Sequence, residues 1–296
     1  MTLTTSASIA SARTLLFVPA DRPERYAKAA ASGADLVCID LEDAVAPAAR
    51  AQARVSLMSF LKAQAQGHPF GLRINPWGSA DGLRDVLALR EVFAPPDAAP
   101  NPAFVMLAKT QCANDVALLA EHLPGLPLVA LIESAQGLHA AADIAGASAQ
   151  LRALMFGGAD MAADLACAFT WEPLLHARCT VVAAAARHGL ASFDVPWLDV
   201  ADPAGAAAEA LRAVQLGFTG KGLIHPSQVA PVHSALQPTP EALARAQRVV
   251  RALAQAMGQA VGQAVGQGAV LVDGRMVDRP VLLAAQRLLR RAGVPV

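Results

Sequence analysis

Eight apolar segments of strand length recur along the chain, and segments of helix length separate most of them. In order, they are Thr14 to Ala20, Asp35 to Glu42, Phe70 to Pro76, Phe104 to Thr110, Leu126 to Ser134, Ala153 to Asp160, Ser192 to Asp199 and Gly222 to Ser227. Several are apolar at nearly every position, which is typical of parallel strands covered on both faces. The intervening segments are rich in Ala, Leu and Arg and predict outer helices. Eight such units favour a closed (β/α)8 TIM barrel.

Polar residues of these segments lie mainly at the C-terminal ends. They are Asp40, Glu42, Asp43, Arg73, Asn75, Lys109, Glu133, Asp160, Asp194, Asp199 and His225. Barrel enzymes carry their chemistry on that rim. An open doubly wound sheet would align strand ends in the same way. No G-x-G-x-x-G follows the first segment, however, so a dinucleotide-binding fold is the weaker interpretation.

Two carboxylates, Glu133 and Asp160, end consecutive predicted strands and lie 27 positions apart, which fits one strand-helix unit. In a parallel sheet such a unit returns the chain to the same end of the adjacent strand, so we expect the two side by side. Two carboxylates completed by water and substrate oxygens suffice for Mg2+, with Mn2+ as the other candidate. The alternative is that each carboxylate caps the helix that follows it.

Other polar residues of the rim have both a chemical and a structural interpretation. Arg73 could grip a substrate carboxylate or enolate oxygen, or pair with the nearby barrel acids. Lys109 could form a Schiff base, although an ammonium held in ion pairs is favoured by so acidic a rim. His225 could be an acid or base, or a hydrogen-bonded structural residue. The backbone amides of Gly158 and Ala159 could hold an anionic group at a helix N-terminus, or mark only a tight turn.

Composition excludes several classes of protein. Lys plus Arg and Asp plus Glu both number 24 in 296 residues, so there is no basic field for nucleic acid. The four cysteines form no C-x-x-C pair, which predicts reduced thiols in a cytoplasmic protein. No apolar run approaches the roughly 20 residues that cross a bilayer. The leader has little signal-peptide character, and a frayed N-terminus is favoured over a short transit peptide.

The pattern predicts three regions: a flexible N-terminus at 1–12, a barrel at 13–235 and a C-terminal region at 236–296. The last contains a helix from about Thr239 to Met257, a Gly-Gln-Ala-Val repeat over 258–268 and a final helix from Pro280, since proline suits a first-turn position. The repeat predicts a flexible hinge. We therefore expect a movable helical lid that carries Asp273 and Asp278.

The motifs, in order, resemble those of the citrate lyase beta-subunit-like family, a branch of the HpcH/HpaI aldolase superfamily with malyl-CoA and citramalyl-CoA lyases. The matching stretches are RTLLFVPADRPERYAKAAASGADLVCIDLEDAV, GLRINP, VMLAK, ALIESAQGL, LMFGGADMAADL, GFTGKGLIHPSQV and VDGRMVDRP. The resemblance implies a (β/α)8 barrel, magnesium held by Glu133 and Asp160, and contact between Arg73 and the substrate. It also implies that Asp278 acts as acid or base when the lid of one subunit closes over its neighbour in a homotrimer or dimer of trimers.

The expected function is Mg2+-dependent retro-Claisen cleavage of a citryl-, malyl- or citramalyl-CoA type thioester to acetyl-CoA, or a homologue, and a 2-oxo acid. A malyl-CoA-type thioesterase and a CoA-independent pyruvate aldolase are alternatives at the same site. A non-catalytic acyl-binding subunit of a lyase complex is an alternative of another class. Ala20, Arg50 and Ala108 depart from the residues usual in the family, which affects the expected acyl-CoA contacts more than the metal chemistry.

Overall fold

The computed structural model describes residues 9–63, 70–93, 102–259 and 269–294. Eight parallel strands hydrogen-bond in sequence order and close into a barrel, with β1 paired to both β2 and β8. They are β1 (Thr14–Pro19), β2 (Leu36–Asp40), β3 (Phe70–Ile74), β4 (Val105–Leu107), β5 (Leu128–Ile132), β6 (Leu151–Phe156), β7 (Ala191–Asp194) and β8 (Gly220–Leu223). The (β/α)8 TIM barrel predicted from the eight apolar segments is confirmed.

Helices follow the strands around the outside of the barrel. They are α1 (Tyr26–Ala30), α2 (Arg50–Ala63), α3 (Ala80–Phe93), α4 (Ala113–His122), α5 (Ala135–His139), α6 (Ala141–Ala145), α7 (Gly158–Asp164), α8 (Leu175–Arg187), α9 (Pro203–Leu216) and α10 (Val229–Leu236). Short 3-10 turns occur at Pro23–Arg25, Pro47–Ala49 and Pro226–Gln228. Each of these turns begins with a proline, whose fixed φ suits a first helical position.

Alternation along the strands sorts the buried side chains into two layers. On β5, Val129 and Leu131 belong to a cluster made mostly of strand residues, which fills the barrel interior. Leu128, Ala130 and Ile132 belong to the cluster shared with the outer helices. Because successive side chains point to opposite faces, both faces of each strand are apolar. This alternation also decides which residues after a strand continue towards the barrel interior.

All eight strands end earlier than the apolar segments predict, by one to five residues, and three of them show the reason. The segment predicted to run to Asp160 ends at Phe156, because a glycine pair turns the chain into α7. The segment predicted to run to Asp199 ends at Asp194, just before Val195 and Pro196, and proline cannot donate to a strand ladder. Lys109 lies beyond β4, with φ 50 in the left-handed region that a strand cannot contain. Buried apolar residues continue into these rim loops, so hydrophobicity alone overstates strand length.

The residues from Gln237 onwards form a second compact unit. It contains α11 (Pro240–Gln259), the antiparallel strands β9 (Val270–Val272) and β10 (Arg275–Val277), and α12 (Arg279–Arg291). Asp273 and Gly274 join the two strands with φ of 51 and 73, the backbone of a type I′ hairpin turn. Residues 260–268, most of the Gly-Gln repeat, and 1–8 of the leader lie outside the described residues. Among the helices that are described, none has the length and apolar character needed to span a membrane.

Candidate active site at the carboxyl end of the barrel

Arg73 is fixed by Asp40, its Cα partner in the register between β2 and β3. The guanidinium Nε donates to Asp40 Oδ1 over 2.6 Å, and Nη2 donates to Oδ2 over 2.5 Å. Its Cζ lies 5.0 Å from the centroid of the Phe17 ring. Burial alone would lower the pKa of Arg73, but Asp40 and two further acids outweigh it and raise this pKa. Arg73 is therefore a charged, preorganised group at the rim, and its predicted pairing with barrel acids is confirmed.

Lys109 connects three elements of the rim. Its ammonium donates to Glu42 Oε1 over 2.6 Å and to Asp160 Oδ2 over 2.9 Å, and lies 3.7 Å from Asp43 Oδ1. Its backbone N–H donates to Glu133 Oε1 over 2.7 Å. Burial acts to lower the pKa of Lys109, but its hydrogen bonds to Glu42 and Asp160 outweigh burial and raise it. The side chain is thus an ammonium held in ion pairs, as expected, and not a neutral amine poised for Schiff-base formation.

Glu133 follows β5 and continues the interior series of Val129 and Leu131. Its side chain is nearly fully buried, and burial raises its pKa to about 8 even though Lys109 acts in the opposite direction. It does not cap the next helix, because Ser134 is the N-cap of α5 and its side chain accepts from the backbone N–H of Gly137. A buried carboxylate with so raised a pKa lacks sufficient positive charge around it.

Asp160 lies in the first turn of α7 and not at the end of a strand, which corrects the predicted placement. β6 ends at Phe156, so residues 157–159 separate Asp160 from the strand. Its side chain is 42% exposed, and it reaches the same lysine that contacts Glu133. The backbone N–H groups of Gly158 and Ala159 belong to this first helical turn, where intrahelical acceptors are absent.

The cluster contains more acidic than basic side chains. Five carboxylates surround the two cations Arg73 and Lys109, namely Asp40, Glu42, Asp43, Glu133 and Asp160. Glu42 Oε2 is buried without a hydrogen-bond partner, although it lies 3.2 Å from Arg73 Nη1. Burial also raises the pKa of Glu42. An excess of buried carboxylate oxygens fits a hard divalent cation.

Protein ligands for such a cation would be few. Within the described ranges, no group of three or more His, Cys, Asp or Glu side chains is arranged to hold a metal ion. Glu133 and Asp160 are the pair that the sequence indicates, and the structure brings both to Lys109. Two carboxylates are enough for Mg2+ when water or substrate oxygens supply the other positions.

Some polar residues assigned to the rim have other roles. His225 caps the 3-10 turn at Pro226–Gln228, where its Nδ1 accepts from the Ser227 N–H over 3.2 Å, so its structural interpretation is favoured. Asp199 Oδ1 accepts from the Ala201 N–H in a loop. In the C-terminal unit, the side chain of Asp278, which the sequence assigns to the lid, caps α12 and accepts from the Val281 N–H over 3.3 Å.

Asp194 belongs to a second buried ionic network, which the sequence did not reveal. Its oxygens accept from Arg178 Nε over 2.8 Å and from Lys221 Nζ over 3.1 Å, and Lys221 Nζ also donates to Glu209 Oε1 over 2.7 Å. Arg178 and Glu209 lie on the outer helices α8 and α9. Since Phe193 points into the barrel, strand alternation directs Asp194 outward, and this signal was available in the sequence.

The arrangement of the motifs agrees with comparisons to known proteins. The sequence model described as HpcH/HpaI aldolase/citrate lyase matches residues 13–226. This chain belongs to the HpcH/HpaI aldolase/citrate lyase family. It is an enzyme of the carbon–carbon lyase type, as the resemblance of its motifs implied.

Relatives within the HpcH/HpaI family match almost the whole chain. The "Citrate lyase subunit beta-like protein" of Mycobacterium tuberculosis is 38% identical and the match covers 94% of both chains. The "L-malyl-CoA/beta-methylmalyl-CoA lyase" of Cereibacter sphaeroides is 34% identical, over 95% of this chain and 94% of the relative.

A solved structure is also similar to this chain. The crystal structure of CitE from M. tuberculosis, in complex with magnesium, acetoacetate and coenzyme A, matches it with a TM-score of 0.76. It is 37% identical, over 96% of this chain and 99% of CitE. The expected magnesium and CoA are thus ligands of a close structural relative.

Proposed function

We propose that this protein is a magnesium-dependent lyase that cleaves a hydroxyacyl-CoA thioester of the citryl-, malyl- or citramalyl-CoA type. The products would be acetyl-CoA, or a homologue, and a 2-oxo acid. The observation that carries the proposal is the convergence on Lys109 of two carboxylates, Glu133 and Asp160, beside the fixed guanidinium of Arg73. Glu42 links the two cations, because it lies within ion-pair distance of both.

We assign the metal to Glu133 and Asp160. When bound, Mg2+, or Mn2+ in its place, supplies Lewis acidity to the substrate oxygen that becomes a carbonyl. The excess of five acidic side chains over two cations supports this assignment. So does the burial of Glu133, whose raised pKa shows that the nearby cations do not offset the effect of burial. The crystal structure of the relative CitE is described with magnesium.

Arg73 would bind the substrate carboxylate or the enolate oxygen. Its two hydrogen bonds to Asp40 hold the guanidinium in place before any ligand arrives. A cation positioned in advance stabilises charge that develops in the transition state without having to reorganise. The amides of Gly158 and Ala159, at the start of α7, would hold a second carboxylate oxygen.

Asp278 would move the protons of the reaction. It would accept the hydroxyl proton as the carbon–carbon bond breaks, so that the hydroxyl carbon becomes the carbonyl of the 2-oxo acid. The electron pair of the broken bond passes to the thioester as an enolate, whose carbon is then protonated to give acetyl-CoA. The family resemblance implies that a neighbouring copy supplies this residue in a homotrimer or dimer of trimers.

A product screen tests the proposal. Purified protein with Mg2+ is incubated with malyl-, citramalyl-, β-methylmalyl- and citryl-CoA, and products are identified by mass spectrometry. We expect acetyl-CoA or propionyl-CoA together with a 2-oxo acid, and loss of turnover in excess EDTA. Unchanged turnover in metal-free protein would overturn the proposal.

The same screen separates the alternatives. A thioesterase would release the intact hydroxy acid and free CoA. A pyruvate aldolase would cleave a free hydroxy acid, and desulfo-CoA would not compete with it. A non-catalytic subunit would show activity only after an acyl-carrier partner is added.

A further inference from the structure

We propose that the Lys109 ammonium is a displaceable counter-ion of this site. In the metal-free protein it holds the Asp160 carboxylate, and it leaves that carboxylate, while keeping Glu42, when a divalent cation binds. The inference rests on the proposed function, because it takes Glu133 and Asp160 as the metal ligands.

Lys109 contacts the two candidate ligands through different groups. Its backbone N–H binds Glu133 Oε1 over 2.7 Å, whereas its side-chain Nζ binds Asp160 Oδ2 over 2.9 Å. The backbone bond does not depend on where the side chain lies. The φ of Lys109 is 50, which is unusual for a residue with a side chain. A second backbone hydrogen bond, from the Thr110 N–H to Leu131 O over 3.1 Å, helps to fix this turn. Glu133 therefore stays oriented when the ammonium moves.

The two cations of the cluster differ in their freedom to move. Arg73 is held by both oxygens of Asp40 and lies against Phe17, and its side chain is only 12% exposed. The side chain of Lys109 is 39% exposed. A lysine carries its charge on a flexible four-carbon stem with three rotatable donors. Of these two cations, Lys109 is the one that can be displaced without breaking a bidentate pair.

The ammonium has partners to retain after it leaves Asp160. Glu42 Oε1 is 2.6 Å from Nζ, and Asp43 Oδ1 is 3.7 Å away on a half-exposed side chain. A small rotation of the stem therefore exchanges one carboxylate for another and leaves the charge paired. The Asp160 carboxylate is exposed enough to be reached from solvent.

Charge repulsion provides the reason for the exchange. An ammonium and a divalent cation on the same carboxylate would lie only about 4 Å apart, and the repulsion of such charges at that distance is large in a partly buried site. Without a metal, the same ammonium reduces the repulsion between Asp160 and Glu42. Lys109 therefore stabilises the metal-free site at the cost of a weaker affinity for the incoming cation.

Lysine NMR tests the movement directly, because the chain has only four lysines, at 28, 62, 109 and 221. The full chain is labelled at lysine Cε and Nζ, the Lys109 signal is identified from its loss in Lys109→Arg, and MgCl2 is added. We expect the Lys109 signal to shift at saturation. The Lys221 signal, from an ammonium paired with Asp194 and Glu209, is the internal control and should not shift. An unchanged Lys109 signal at saturating Mg2+ would overturn the inference.

Calorimetric titration with MgCl2 tests the competition. We expect Lys109→Met to bind Mg2+ about tenfold more tightly than the wild type, since the competing charge is gone, and Lys109→Arg to remain close to the wild type. Equal or weaker binding by folded Lys109→Met, with the wild type still binding, defeats only this inference. If the wild type and both variants bind no Mg2+, the metal assignment itself fails, and the inference fails with it. Should Lys109→Met not fold, the NMR experiment on the wild type decides.

Discussion

The backbone of Gly157 lies directly against the side chain of Glu133. A Cβ atom at position 157 would lie 2.6 Å from Glu133 Oε2 and would also overlap the Glu133 Cβ. The neighbouring pair Ile132 and Phe156, which are Cα partners between β5 and β6, brings the two residues together. The φ of Gly157 is −96, so close approach and not backbone conformation requires glycine here. The position of a candidate metal ligand thus depends on the absence of a side chain at Gly157, the first residue after β6.

Gly157→Ala should therefore displace the Glu133 carboxylate. We expect Mg2+ affinity to fall by about tenfold or more, as when groups that orient a metal ligand are disturbed, with a parallel loss of turnover. Calorimetric titration and the lyase assay measure the two effects. Gly78→Ala is the matched control, because a Cβ there meets no atom within 4 Å. Wild-type Mg2+ affinity in Gly157→Ala would contradict this account of the site.

Glu133→Gln tests the metal ligand itself. Glutamine fills the same volume and its carbonyl oxygen can still accept the Lys109 N–H, so we expect the fold to survive. Loss of the ionised oxygen should lower kcat/KM by at least about 100-fold, within the range for loss of a major electrostatic contribution to catalysis. Circular dichroism and thermal unfolding check the fold, and Glu121→Gln, at an exposed position on α4, is the control. Retained Mg2+ binding by Glu133→Gln would exclude Glu133 as a ligand.

Arg73→Lys keeps the positive charge and removes the planar fork. An ammonium cannot reproduce the paired bonds from Nε and Nη2 to Asp40, so the charge would no longer be held in one position. We expect kcat to fall by about 100-fold or more while Mg2+ affinity changes little. Arg84→Lys, on the exposed side of α3, is the matched control. A variant with normal kcat would show that charge alone suffices at this position.

Asp278→Asn separates proton transfer from helix capping. Asparagine is as good an N-cap as aspartate, so α12 should keep its first turn, whereas Asp278→Ala would lose about 1 kcal/mol of stability. We expect Asp278→Asn to lower turnover by about 10²- to 10⁴-fold, the usual contribution of a general acid or base. The lyase assay and thermal unfolding of both variants distinguish the two roles. Equal turnover of Asp278→Asn and wild type would remove this residue from the mechanism.

Asp35 should make the stability of the barrel sensitive to acid. Burial raises its pKa, but hydrogen bonds and charges from His233 and Arg13 outweigh burial and lower it from 3.8 to about 2. The contribution is therefore complete above about pH 4 and is lost as the pH falls towards 2. It amounts to about 2 kcal/mol, since one pKa unit corresponds to about 1.4 kcal/mol.

Urea unfolding between pH 7 and pH 2.5 measures this contribution. The pH dependence should be reduced in Asp35→Asn and retained in Asp143→Asn, which replaces an exposed acid on α6. An Asp35→Asn profile parallel to that of the wild type would assign the acid sensitivity to other groups.

The rim could be predicted from the sequence because strand ends in a parallel barrel lie together. Strand alternation even places Glu133 inside, in series with Val129 and Leu131. The apolar pattern places Asp160 on the correct rim but on the wrong element, since apolar character continues past the strand into the first turn of a helix. The cross-links made by Lys109 could not be predicted, because they depend on a left-handed backbone turn and on partners 24 to 67 positions away.

The outer ionic network shows a different kind of failure. The apolar run before Asp194 predicts that this residue belongs to the rim, yet its partners Arg178 and Lys221 lie in the layer between strands and helices. Position along the strand predicted how far along the barrel axis Asp194 lies. The side of the barrel wall that Asp194 faces follows only from strand alternation: Asp194 is adjacent to the inward-facing Phe193 and therefore points outward.

The pairing of Asp40 with Arg73 has an evolutionary consequence. The two residues are neighbours in the strand ladder, so the hydrogen-bonded register of the barrel wall sets the location of the guanidinium independently of the loops above it. Insertions, deletions or exchanges in those loops can alter which acyl group is accepted without relocating the charge. A scaffold of this kind can acquire new substrates through loop variation while its reaction chemistry is inherited unchanged.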